Sequence, residues 1–241
     1  MGDHTFAETT ATRDAEKASV QEFWDAGSCG EIYATGDSAL ERYEAQRAAR
    51  YELEPYIRDF ADFPSGRGRD VLELGVGMGA DHFEWARSEP RSLIGVDLTP
   101  RAVAHTTARF DLGQRSSRLL VGDAEHLPFR DATCDLVYSW GVLHHSHNTA
   151  AAIREVHRVL RPGGTARVLI YQDRSIVGAL LWVRYALLVG RPLRSLRDVY
   201  AEHLESPGTK AYSVREARAM FSDFSRCEIR PRLSFGDLLM G

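Results

Sequence analysis

Between residues 70 and 171, short apolar runs alternate with helical stretches, and this rhythm constrains the fold more than any other feature. Val71-Leu72-Glu73-Leu74 reads as a strand and 80–87 as a helix. A second strand is expected over 92–96 and a helix over 101–110. A third strand covers 119–121, a fourth 135–140, and a helix 150–160. Arg161-Pro162-Gly163-Gly164 reads as a turn, and 165–171 as a fifth strand. Strands that alternate with helices pair in parallel through right-handed crossovers, which makes the chain an α/β protein.

The flanks have a different texture. Residues 1–17, rich in Thr, Ala and charge, read as a frayed tail. A short helix is expected over 19–25, with Val20, Phe23 and Trp24 as its apolar side. Ser38 can cap a long helix over 39–60, which Pro55 kinks or divides. Residues 64–68 form a loop. Beyond Tyr171 the alternation stops, and 175–190 is strongly apolar. Ser213 can cap a helix reaching 221, 226–230 reads as a sixth strand, and 233–235 continues or bends it. Residues 1–69 therefore read as a tail and helical cap, 70–171 as a ligand-binding core, and 172–241 as a helical insert with a terminal strand. Together they make one domain.

Composition narrows the functional classes. The chain is 44% apolar and 27% charged, within the globular range, so wholesale disorder is excluded. Net charge is -4, and no basic, aromatic-rich module is appended, so no nucleic-acid partner is expected. The three cysteines are far apart, without a CxxC pair, which suggests neither a disulfide framework nor a zinc site. A reducing, cytoplasmic setting follows. The first 20 residues lack the apolar run of a secretory signal. Basic residues are skewed to 28 arginines against only two lysines, Lys17 and Lys210.

Three positions carry chemistry. Gly75-Val76-Gly77-Met78-Gly79 follows the first strand and opens a helix, so its backbone can approach a ligand closely. With Ala80 it also satisfies the relaxed dinucleotide pattern. Asp97 ends the second strand, where a carboxylate can accept from both hydroxyls of a ribose. A nicotinamide-dependent oxidoreductase and an adenosyl-cofactor enzyme would both use it, and a helix N-cap is the plain alternative. After the third strand, Asp123 in Gly122-Asp123-Ala124-Glu125 can accept from an adenine amino group. The fourth strand runs into Ser139-Trp140-Gly141-Val142-Leu143-His144-His145.

With these motifs in this order, the chain resembles the class I S-adenosylmethionine-dependent methyltransferases over residues 70–171, including Arg158-Val159-Leu160-Arg161-Pro162-Gly163-Gly164. The Leu143-His144-His145 ending is similar to the branch acting mostly on small molecules. Phe23-Trp24-Asp25 and His203-Leu204-Glu205-Ser206-Pro207-Gly208-Thr209-Lys210 resemble a bacterial subgroup of it. The resemblance implies a Rossmann-like, doubly wound, mostly parallel sheet with an N-terminal helical cap and a helical insert after strand five. Few residues remain after Phe235, so a short or missing seventh strand is expected. It also implies S-adenosylmethionine as cofactor and residue roles. Glu73, Gly75 and Gly77 would line its methionine part, Asp97 would hold the ribose, and Leu98 would face the adenine. Asp123 and Ala124 would read the adenine edge, with Ser139 and Trp140 near the amino group and sulfonium. Met78, Trp24 and Tyr33 would close over the cofactor.

Methyl transfer from a sulfonium is an in-line displacement that needs a base only when the acceptor is protonated. His144 or His145 is expected as that base, with Tyr171 as a further site candidate and O-methylation of a small molecule favoured. The rivals are an NAD(P)-dependent oxidoreductase and a methyltransferase-like protein that keeps the cofactor without methyl transfer. No metal site is expected, because no carboxylate lies at ligand spacing from the histidines. For 175–190, a lid or core role is favoured, with Leu181, Trp182 and Tyr185 over a hydrophobic substrate. A homodimer contact comes next and a membrane-surface helix last.

Overall fold

The computed structural model describes residues 3–232, with side chains from residue 13 onward. Five strands form one sheet: β1 (Asp70–Leu74), β2 (Ser92–Asp97), β3 (Arg118–Val121), β4 (Cys134–Trp140) and β5 (Leu160–Leu169). Their order is β3-β2-β1-β4-β5, and every pairing is parallel. Three helices precede the sheet: α1 (Asp3–Ala26), α2 (Ala39–Leu53) and α3 (Ile57–Ala61). Between the strands run α4 (Ala80–Arg87), α5 (Pro100–Leu112) and α6 (Thr149–Val159). Then come α7 (Ile176–Trp182), α8 (Leu196–His203) and α9 (Val214–Met220).

Both faces of the sheet are covered, which is why its strands read as apolar runs. Alternate strand residues point to opposite faces. Leu72, Leu74 and Val137 pack with Ile153 and Val156 of α6 on one face. On the other, Val71, Leu136 and Tyr138 pack with Trp85 of α4 and with Ile57 and Phe63. Strand order reverses between β1 and β4, and the crevice at that switch point opens at the carboxyl ends of the strands.

The expected Rossmann-like α/β fold is the one observed, with four local differences. First, α1 starts at Asp3, where a frayed tail is expected up to residue 17. Its Thr-rich sequence is a poor isolated helix, but tertiary anchors hold it: Gln21 Nε2 donates to the Leu98 carbonyl at 3.0 Å, and Lys17 reaches the β3 loop. Second, α2 ends at Leu53, and Glu54 before Pro55 leaves the helical region, so proline divides the expected long helix. Third, α8 is absent from the sequence reading, which followed the apolar run past it. Fourth, the strand expected over 226–230 has no ladder partner. Its expected continuation at 233–235 lies outside the described residues. The turn at 161–164 loops out of the β4–β5 ladder, since Cys134 pairs with Leu160 and Leu136 with Thr165. Just past β5, Gln172 makes an isolated parallel bridge to Tyr212, which ties the C-terminal segment to the open side of β5.

Candidate active site

One cavity opens at the carboxyl ends of β1, β2 and β4. Its floor is the loop after β1. Gly75 sits at φ +80°, and a Cβ there would lie 2.1 Å from a Val142 methyl, so only glycine fits. At Gly77 a Cβ would meet open space, so the backbone faces the cavity directly. Asp97 lies beside it. Its carboxylate accepts from the Gly77 amide at 3.1 Å and from the Thr99 amide and hydroxyl at 3.0 Å each. The cap of α5 is Thr99, which accepts from Ala102 N, so Asp97 is not the cap. Burial raises the Asp97 pKa, and the bonds from Thr99 and Gly77 oppose that rise.

Asp123 follows β3 on the same cavity. Its carboxylate accepts from the Glu125 amide at 2.8 Å and from the Lys17 ammonium at 2.5 Å. Lys17 also pairs with Glu125 at 2.9 Å. Burial would raise Asp123, but Lys17 holds it below the usual carboxylate range. The two carboxylates in turn keep Lys17 charged, with its pKa raised although burial alone would lower it.

Beneath the glycine loop lies a buried polar cluster. Arg50 of α2 donates two bonds to Asp81 of α4, at 2.8 and 2.6 Å, and Tyr51 and Tyr138 each donate a hydroxyl to it. Burial would raise Asp81, but the Arg50 guanidinium and the two hydroxyls pull it below its ordinary value. Glu73 is the opposite case. Burial and the neighbouring Asp81 charge push its pKa well up. It bonds His82 Nδ1 at 2.9 Å, and burial lowers that imidazole to about 3.

The far wall joins segments distant in sequence. His145 Nδ1 lies 2.8 Å from the Ser206 hydroxyl and 3.1 Å from that of Thr209. Its Nε2 is 3.4 Å from Glu205 Oε2, which also accepts the Tyr171 hydroxyl at 2.8 Å. Burial and Glu205 push the Tyr171 pKa well up, so the phenol keeps its proton. Trp24 of α1 sits edge-on to His145, with ring centroids 5.3 Å apart. His147 lies at the rim and pairs with Glu16 at 2.6 Å.

Twelve of the fifteen expected residues border this cavity: Glu73, Gly75, Gly77, Met78, Asp97 and Leu98, with Asp123, Ala124, Trp140, Trp24, His145 and Tyr171. Three do not. His144 is fully buried and its ring lies 3.8 Å from that of Tyr171. Its ring therefore forms part of the wall and does not reach the cavity, and burial drives its pKa well below the normal range. Ser139 is buried, and its hydroxyl donates to the Leu74 carbonyl at 3.1 Å, which fastens β4 to β1. Tyr33 stands 39% exposed, away from the cavity. The lid expectation is also corrected, since no residue of 175–190 lines the cavity.

The sequence reading assigned no role to Lys17, Glu125 or Glu205. Glu205 lies in the His203–Lys210 motif quoted above, so its signal was present without a task. It also overturns the stated reason for expecting no metal. A carboxylate does reach the histidines, and His144, His145 and Glu205 offer donor atoms within 4.8 Å of one another. Glu205 is already bonded to Tyr171, however, and the His144 ring is packed against that phenol.

Residues 72–168 match the methyltransferase domain family. Norajmaline N-methyltransferase of Rauvolfia serpentina is 29% identical over 136 residues, 55% of this chain and 47% of that protein. Malonyl-[acyl-carrier protein] O-methyltransferase of Marinomonas sp. is 30% identical over 144 residues, 54% of this chain and 53% of that one. The chain thus spans about half the length of these curated relatives. Among solved structures, a chain from the complex containing the Haloferax volcanii Trm112 methyltransferase activator superposes with a TM-score of 0.57. It is 22% identical and covers 82% of this chain and 76% of its own, a likeness of fold. The relatives include both N- and O-methyltransferases, so kinship leaves the acceptor atom open.

Proposed function

We propose that this chain transfers a methyl group from S-adenosylmethionine to a small-molecule acceptor, with oxygen favoured. One observation carries the reading: the carboxylates of Asp97 and Asp123 both front the cavity floored by Gly75 and Gly77. A carboxylate accepts from ribose hydroxyls and from an adenine amino group, so the residues fit the cofactor. Bound, it supplies an activated methyl group on a sulfonium. Asp97 would hold the ribose hydroxyls, with its orientation set by Gly77 and Thr99. Asp123 would accept from the adenine amino group while Lys17 balances its charge. The chain's remaining task is to align the acceptor and exclude water.

A hydroxyl acceptor must lose a proton. His145 borders the cavity, and its Nδ1 faces the Ser206 and Thr209 hydroxyls. Its Nε2 lies 3.4 Å from Glu205 Oε2, so His145 paired with Glu205 is the candidate proton acceptor. Tyr171 and Glu205 position the wall beside it. The test is calorimetry. Asp97→Ala should weaken S-adenosylmethionine binding by roughly 100-fold or more, given two charge-assisted bonds lost, while the circular dichroism spectrum stays folded. Unchanged affinity, or tight NADH binding in a fluorescence titration, would reject the reading. Release of S-adenosylhomocysteine with a pool of alcohols and phenols would separate turnover from cofactor retention alone.

A further inference from the structure

We infer that α7 and the turn after it form a docking surface for an anionic lipid bilayer. Beyond Trp182 the helix widens into one π turn, Val183–Leu187. Its inward side is fixed. A Cβ on Gly178 would lie 1.7 Å from the Tyr200 hydroxyl, so α7 and α8 touch backbone to ring. Trp182 Nε1 donates to the Arg194 carbonyl at 2.9 Å, Tyr185 stacks on His203 at 3.8 Å, and Ala186 is fully buried. The orientation of the helix is therefore set by small and aromatic residues, and its aliphatic residues face outward. Ile176, Leu180, Val183 and Leu187 recur at helical spacing on the exposed side. Leu188 and Leu193 extend the patch, at 75% and 98% exposure. A monomeric soluble surface rarely gathers apolar side chains in this way without a partner.

Charge selects the partner. The chain as a whole is acidic, yet residues 174–197 contain five arginines and no Asp or Glu. Carboxylates from the elements packed alongside reach two of them: Glu202 pairs with Arg194 and Glu216 with Arg197. Among the described residues, Arg174, Arg184 and Arg191 have no ion pair. An outward apolar face bordered by free arginines matches acyl chains beneath anionic headgroups. The contact lies in the interface plane, since no helix among the described residues is long and apolar enough to cross a membrane.

Flotation with vesicles of phosphatidylcholine, with and without phosphatidylglycerol, tests the proposal. Binding should require the anionic lipid and fall as salt rises. Leu188→Asp with Leu193→Asp should abolish it. Arg184→Gln with Arg191→Gln should weaken it by roughly fivefold per arginine. Neither pair touches the cavity, so circular dichroism and S-adenosylmethionine affinity should stay unchanged, which separates this test from that of the proposed function. No binding to either vesicle, or equal binding to both, would overturn the inference. So would self-association in lipid-free solution that Leu188→Asp removes, which would make a second copy the occupant.

Discussion

The two walls of the cavity are built differently. The cofactor-side wall uses residues at the ends of adjacent strands, braced by the Arg50–Asp81 pair, and its carboxylates accept from backbone amides of the strand-end loops. Asp97, for example, is held by Gly77 and Thr99. The acceptor-side wall is assembled from three remote pieces: His145, Tyr171, and the segment containing Glu205, Ser206 and Thr209. It carries no buried arginine pair. Its geometry rests on hydroxyl and imidazole contacts, on the Glu205 carboxylate and on the Tyr212 bridge to the end of β5. A strand-end scaffold can stay constant while such an added wall changes, which is how one fold serves many acceptors.

Three experiments bear on this contrast. The largest effect is expected from Arg50→Met, which leaves the Asp81 carboxylate buried with only tyrosine hydroxyls to meet it. Urea unfolding should show a loss of about 3–5 kcal/mol. A loss below about 1 kcal/mol would mean that the cofactor-side wall does not depend on this pair. Next, His145→Ala should lower turnover about 100-fold while cofactor affinity changes less than about twofold. Equal losses in both would show that the two walls are not separable.

The smallest effect concerns pH. Burial depresses His144 in the folded state, so the unfolded chain binds more protons below the usual histidine pKa. Stability therefore falls on acidification. Relative to His144→Leu, the wild-type chain should lose about 2 kcal/mol more between pH 7 and pH 5. The comparison of slopes cancels the contribution of His82, which has the same sign, and that of Glu73, whose raised pKa has the opposite sign. Parallel slopes for the two proteins would show that His144 titrates freely.

The same contrast explains what could be read from the sequence. β1, β2 and β4 were legible because burial on both faces imposes apolar runs, while the less buried β3 and β5, with α4 to α6, were legible from the alternation of strand and helix. Asp97 and Asp123 were legible from their place after a strand. Glu205 was not, because its role depends on a chain reversal that no local pattern encodes. His144 and His145 are adjacent and chemically alike, so only the fold separates the ring in the wall from the ring at the cavity. The part of α1 before the helix expected over 19–25 was missed because Thr and Ala give little apolar periodicity, and its stability comes from Lys17 and Gln21 meeting distant partners. For the apolar run of α7, lid or core, dimer contact and membrane surface stood as alternatives, since an apolar run does not say which side is covered.

The anchors of α1 have a consequence for the order of assembly. Lys17 meets Asp123 across 106 residues, and Gln21 meets Leu98 across 77. During synthesis these partners leave the ribosome long after the helix does, and closing so long a loop carries an entropic penalty. Trp24 can pack on His145 only after β4 has formed. The segment made first is therefore seated late, and the nascent sheet can present its strand ends before α1 docks over them.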